Sequence, residues 1–318
     1  MGTPARPQVL TDLPLPIGDG SLRALNLRFD DFCDYAETAR GLSVATIRAY
    51  RDAFRNFRKF LLQSGSPLSL AVFEIDEWVR WNRRRGLGAV STNSYWRALR
   101  AFFTDLDRRD GIPSPFVGVR PPPLPSRLPK ALEPAACRRV LAAAEGLDWP
   151  STLARARAVA IVSTFLYAGL RRGELLHLTN SDVNLRDGLI LVRDGKGRGG
   201  GKDRVVYLPP QLASALQIYV RERDRRRIDS AGFFCTHNGT PISLSTLRRI
   251  HTRIQRAAGL KTSIHAYRHS YVSGLLRSGI GVHVARELAG HSSLSTTLGY
   301  LRVFDGDKRR EVRKLSFD

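Results

Sequence analysis

The chain has 318 residues, enough for two domains, and 42% of them are hydrophobic, an ordinary share for a folded protein with real cores. Its formal charge of +22 is not ordinary, and arginine carries the excess, since only 7 residues are lysine. Cys33, Cys137 and Cys235 are far apart, form no CxxC pair and exclude a disulfide framework, and no apolar run has the length of a signal peptide core or a membrane span. A reducing, cytoplasmic setting without a membrane is the expectation. The positive surplus calls for a polyanionic partner, nucleic acid first, because guanidinium groups grip phosphate in pairs of hydrogen bonds. Arginine enrichment of an ordinary solvated surface is the alternative that composition leaves open.

In chain order, residues 1–21 are rich in proline and glycine and are expected to be a flexible N-terminus. Residues 22–110 follow helical periodicity: Tyr50, Phe54, Phe57 and Leu61 recur at three- and four-residue steps behind a cap at Ser43. Trp96, Leu99, Phe103 and Leu106 repeat the pattern, with Ser91 as the expected cap. Arginines fall between these apolar positions, so the segment reads as a helical bundle with basic outer faces.

Residues 111–130, GIPSPFVGVRPPPLPSRLPK, hold too many prolines for helix or strand and read as a linker. A second domain, 131–318, begins with helical patterns in PAACRRVLAAAEGL and TLARARAVAIVSTFLYAGL. GLILVRD and DRVVYLPP read as two strands joined by the glycine-rich loop GKGRGG, and helical patterns resume from Leu212 to the end. The predicted fold class is mainly α: a helical bundle followed by a mostly helical domain with one small antiparallel sheet.

Chemistry concentrates in two stretches of the second domain. In YAGLRRGELLHLTNSDV, Gly169 permits a tight turn from which Arg171 projects, Glu174 can pair with an arginine, and Asp182 can orient a histidine. Taken alone, this is a helical corner with a salt bridge. In HAYRH, His265 and His269 are four apart and share a helix face. A zinc hydrolase would need a carboxylate beside the first histidine, and Ala266 stands there, so the metal reading is weak. His265 and Arg268, three apart, present donors to one anion instead. The glycine loop is no nucleotide cradle, because GRGGGKD lacks the Walker spacing and has Asp203 where serine or threonine should follow the lysine.

Taken in order, GLRRGEL, GKG, HAYRH, LAGH and the Tyr300 beyond them resemble the active-site boxes of the tyrosine recombinases, the phage integrase family. Residues 22–110 resemble its core-binding, DNA-clamping domain and residues 132–303 its catalytic domain. The resemblance implies a site-specific DNA recombinase with Tyr300 as the nucleophile, forming a 3′-phosphotyrosyl link and releasing a 5′-hydroxyl. It assigns Arg171, Arg268 and His291 to the phosphate, His265 to proton transfer with the tyrosine, and Lys196 to the leaving oxygen. Lys202 lies on the same loop and competes for that last role, while Glu174, Asp182 and His269 match supporting positions. Ala289 before the glycine of LAGH and Arg172-Gly173 inside the first box depart from the usual pattern without removing a catalytic group.

The family also implies double-stranded DNA as partner, four protomers on two DNA sites, a Holliday-junction intermediate, and in some members an accessory protein. No cofactor or metal is called for. The short N-terminus suggests a simple member, similar to the Xer or Cre groups, without an arm-type DNA-binding domain, and the basic tail 301–318 could dock on its own domain or on a neighbour. A nicking and closing enzyme of topoisomerase type, or a DNA-binding regulator on the same scaffold, are the alternatives.

Overall fold

The protein, analysed as a computed structural model, is described over residues 21–64, 72–124, 131–193, 203–291 and 297–298. It divides into two units, Met1–Ser126 and Arg127–Asp318.

Four helices make the described part of the first unit: α1 (Ser21–Thr38), α2 (Val44–Ser64), α3 (Val72–Arg84) and α4 (Ala89–Asp110). Leu25, Phe29, Phe32 and Ala36 form the buried stripe of α1, set at helical spacing so that one face meets the core. Phe29 stacks on Phe54 of α2 at 3.9 Å, and Phe102 of α4 meets the edges of both rings. Trp78 of α3 is buried whole, and its indole N–H donates to Asn56, which in turn donates to Asn82. That chain of bonds keeps the buried Asn82, the half-buried Asn56 and the Trp78 indole satisfied beside an aromatic core. Ser43 caps α2, accepting the Thr46 N–H at 3.2 Å.

Two expectations change here. Ser91 is not the cap of α4; the N-cap is Gly88, three residues earlier, and Ser91 lies within the first turn. Gly86, at φ +77°, turns the chain out of α3, so helical backbone restarts at once, and glycine is nearly as good an N-cap as serine. The proline-rich stretch is not all linker: Phe116 is buried against Trp96 and Phe103, and Asn93 donates to the Pro122 carbonyl at 2.7 Å. Its start belongs to the first core, while residues 125–130 lie outside the described part.

The second unit is built around α6 (Thr152–Tyr167), whose Leu153, Ala158, Ile161, Val162 and Phe165 are all buried. Beyond its first turns, which carry Arg155 and Arg157, the helix is apolar nearly all round and has to sit in the middle. It is covered by α5 (Pro134–Gly146), α8 (Pro210–Arg225) and α10 (Ile264–Arg277). After α6 come the short α7 (Arg172–His177) and a three-stranded antiparallel sheet of β1 (Val183–Asn184), β2 (Leu189–Val192) and β3 (Arg204–Tyr207), in that order. Ile190 pairs with Val206 and both point into the core, as does Val192, which pairs with Arg204. The two-residue β1 was not foreseen, being too short to show alternation.

Helix does not run unbroken from Leu212: α8 starts at Pro210, a position proline suits, and residues 226–243 are turns and an isolated bridge between Cys235 and Pro241. Gly239 at φ +81° and Pro241 forbid helix there. Ser243 then caps α9 (Leu244–Ala257), and Ser263 caps α10. The last described helix before His291 is α11 (Val282–Ala289), which packs on α10 and β3. Among the described residues no helix is long and apolar enough to cross a membrane.

Candidate active site

The end of α6 delivers the first arginine. Ala168 closes the helix, Gly169 turns the chain at φ +61°, and Arg171 becomes the N-cap of α7. Only glycine fits at 169, because a Cβ there would lie 2.1 Å from Cδ1 of Tyr271 on α10. Glu174, three residues into α7, accepts the Arg171 backbone N–H at 2.6 Å and ion-pairs with its Nη1 at 2.6 Å. One carboxylate thus satisfies a helix end and fixes a side chain.

The second arginine comes from α10, where Arg268 is 2% exposed. Its guanidinium donates to the carbonyls of Gly169 and Ala289, and its Nη1 lies 4.0 Å from Glu174 Oε2. Arg171 donates through Nη2 to the Gly290 carbonyl. Gly290, at φ +63°, ends α11 and presents His291, whose Nδ1 lies 2.8 Å from Thr297 Oγ1. His265 and His269 meet edge to face at 4.6 Å. The carbonyl bonds of the two guanidiniums therefore tie three separated segments into one site.

A third cation was missed at the sequence level. Arg204, the first residue of β3, places Nη1 2.9 Å from Glu174 Oε1 and Nη2 2.8 Å from Oε2. Burial raises the Glu174 pKa, but hydrogen bonds and charge from Arg204, and then from Arg171, overcome it and bring it down to about 2. One carboxylate faces three guanidiniums, so the cluster is left with a net positive charge. Such an excess in a half-buried site favours an incoming anion. Arg171, its side chain 39% exposed, is the guanidinium most open to solvent.

The histidines stay neutral there. Burial, followed by the charges of Arg268 and Arg171, lowers His291 to about 4 and lowers His265 as well. His269 is held at about 4 by burial, His265 and Arg268. Neutral imidazoles donate one hydrogen bond and accept one proton, the two services a reacting phosphate and its nucleophile need.

Six of the predicted residues thus converge: Arg171, Glu174, His265, Arg268, His269 and His291. Asp182 does not orient a histidine. It accepts from Thr179 N–H and hydroxyl at 2.9 and 2.6 Å and from Arg193 Nε at 2.6 Å, because it closes the turn before β1 opposite the end of β2. Lys196, Lys202 and Tyr300 lie outside the described residues. Among the described residues no cluster of His, Cys, Asp and Glu side chains is suited to a metal ion.

The family model for the phage integrase family matches residues 130–306, and that for the phage integrase N-terminal SAM-like domain matches residues 29–110. The chain belongs to the phage integrase family, the tyrosine recombinases. It is 35% identical over 274 residues to tyrosine recombinase XerA of Thermococcus kodakarensis, covering 83% of this chain and 86% of that one. It is likewise 35% identical to tyrosine recombinase XerD of Pseudomonas aeruginosa, over 86% of this chain and 92% of the relative. Among solved structures, the XerH site-specific recombinase bound to palindromic difH substrate superposes with a TM-score of 0.72 at 22% identity, covering 90% of this chain and 83% of the other. The chain is accordingly a tyrosine-type site-specific DNA recombinase.

Proposed function

We propose that this recombinase breaks and rejoins DNA with Tyr300 as nucleophile. The Tyr300 oxygen bonds to phosphorus, the 5′-oxygen leaves, and a 3′-phosphotyrosyl link keeps the energy of the phosphodiester, so rejoining needs no ATP. Arg171, Arg268 and His291 bind the non-bridging oxygens, where negative charge grows in the five-coordinate transition state. His265, kept neutral by burial and by the arginines beside it, takes the tyrosine proton. Lys196 protonates the leaving oxygen, and Glu174 and His269 support the groups that touch phosphate. The observation that carries this reading is the convergence of Arg171, Arg268 and three neutral histidines on one cationic site from segments far apart in sequence.

Double-stranded DNA carrying specific recombination sites is the substrate, with the first unit clamping the duplex. Solved DNA complexes of similar proteins support this: XerH on difH, the Tn1549 transposon integrase on transposon end DNA, and a lambda integrase dimer on a core site. Four protomers on two sites, a Holliday-junction intermediate, action at the nucleoid in the cytoplasm, and in some settings an accessory protein complete the proposal.

The test is an SDS-stable complex on a nicked suicide duplex drawn from the DNA flanking the gene. Wild-type protein should become covalently linked and Tyr300→Phe should bind without linking. Equal linkage by the Tyr300→Phe variant, or none by wild type on DNA it binds tightly, overturns the assignment.

A further inference from the structure

Arg204 holds a place that the phosphate chemistry above does not use. It opens β3, directly after the loop that carries Lys196, and its side chain is 9% exposed. Both of its terminal nitrogens engage both oxygens of Glu174, at 2.9 and 2.8 Å. Its other face lies against the turn that presents His291: a Cβ added to Gly290 would stand 2.9 Å from Arg204 Nη1. One side chain at the start of β3 therefore reaches both the first turn of α7 and the Gly290 turn.

The charge arithmetic gives this contact a function. Glu174 also pairs with Arg171 and lies 4.0 Å from Arg268 Nη1, so its carboxylate competes with any phosphate for the same two guanidiniums. A carboxylate occupied by a two-pronged partner of its own has less to offer them.

We propose that Arg204 is a positioning residue for DNA cleavage: by taking both oxygens of Glu174 it leaves Arg171 and Arg268 charged toward the scissile phosphate, and it ties the start of β3 to the turn that presents His291. This rests on the cleavage reading above. Without Arg204, Glu174 turns fully onto the two phosphate-binding arginines and partly cancels them, and the damage depends on the carboxylate being present.

That dependence separates positioning from mere structural support. The experiment measures the single-turnover rate of covalent complex formation on the nicked suicide duplex, with DNA affinity and thermal melting recorded beside it. Arg204→Gln should slow linkage by about 10- to 100-fold, the usual range for a residue that orients a direct ligand, while changing DNA affinity less than about twofold. Adding Glu174→Gln to that variant should make linkage faster than in Arg204→Gln alone, and in the Glu174→Gln background Arg204→Gln should matter less than about threefold.

A double variant no faster than Arg204→Gln overturns the proposal in favour of a structural role, as does Arg204→Gln at the wild-type rate. If Arg204→Gln fails to fold, Arg204→Lys serves: it keeps the charge but not the fork, and should give a smaller loss that Glu174→Gln again relieves. Failure of both to fold overturns the proposal too. Absence of linkage by wild-type protein is a different result, which removes the cleavage reading itself.

Discussion

Gly169→Ala strikes the site through its backbone. Gly169 stands at φ +61°, where an L residue costs roughly 1–2 kcal/mol, and its added methyl would lie 2.1 Å from the ring of Tyr271, itself buried. Overpacking of that kind costs about 1–3 kcal/mol, so the whole penalty is about 2–5 kcal/mol, a large share of a marginal stability. It falls on the carbonyl that accepts from Arg268, so the damage should reach the phosphate clamp as well as the fold. Hydrogen exchange of α6 and α10 amides reads the stability of this region directly. Protection there should drop by the stated amount, and covalent linkage to DNA should fall with it. Truncating the ring relieves the clash but not the φ cost, so Gly169→Ala with Tyr271→Ala should cost less than the sum of the two alone by about 1 kcal/mol or more. A single Gly169→Ala variant within about 1 kcal/mol of wild type and still able to link DNA would refute the reasoning.

Acidification should destabilise the second unit. His269 and His291, at about 4 against an ordinary 6.5, bind fewer protons folded than unfolded between those values, and His265 is shifted the same way; burial is the first cause in each. Stability from these groups is present above about 6.5 and lost as pH falls toward about 4, while that of Glu174 is lost from about 4.5 down to about 2. A urea midpoint that rises between pH 7.5 and pH 5 contradicts this sign. Asp182→Ala removes three hydrogen bonds from a carboxylate 4% exposed, but Arg193, 61% exposed, regains water, so the loss should be about 1–3 kcal/mol by thermal melting, and a change under about 0.5 kcal/mol argues against it. With a formal charge of +22, the logarithm of DNA affinity should fall against the logarithm of salt with a slope of about −5 or steeper, and a slope near −1 would mean that few phosphates are neutralised.

Much of the fold is local and therefore visible in one dimension. The aromatic repeats of α2 and α4 and the apolar run of α6 announce helices because a 3.6-residue period places their side chains on a face, or all round, regardless of what packs there. Ser91 shows the converse. A serine at the right spacing is a cap only if the chain enters there, and Gly86 and Gly88 let it enter earlier. Phe116 inside a proline-rich stretch shows the same limit: prolines rule out helix, yet they do not stop one ring from filling a gap beside Trp96.

The amino-acid order alone determined that the chain is helical and basic, and it carried the boxes that place Arg171, Arg268, His265 and His291 in one family pattern. It could not assign charges to partners. With 51 basic and 29 acidic side chains, any carboxylate has many possible mates, and the choice falls to whichever segments the packing brings within about 4 Å. The tertiary structure alone decided that Glu174 is shared by Arg171 and Arg204, that Asp182 holds Arg193, and that burial keeps the histidines neutral. Spacing along a helix is set by covalent geometry, whereas ion pairing and desolvation depend on neighbours distant in the chain.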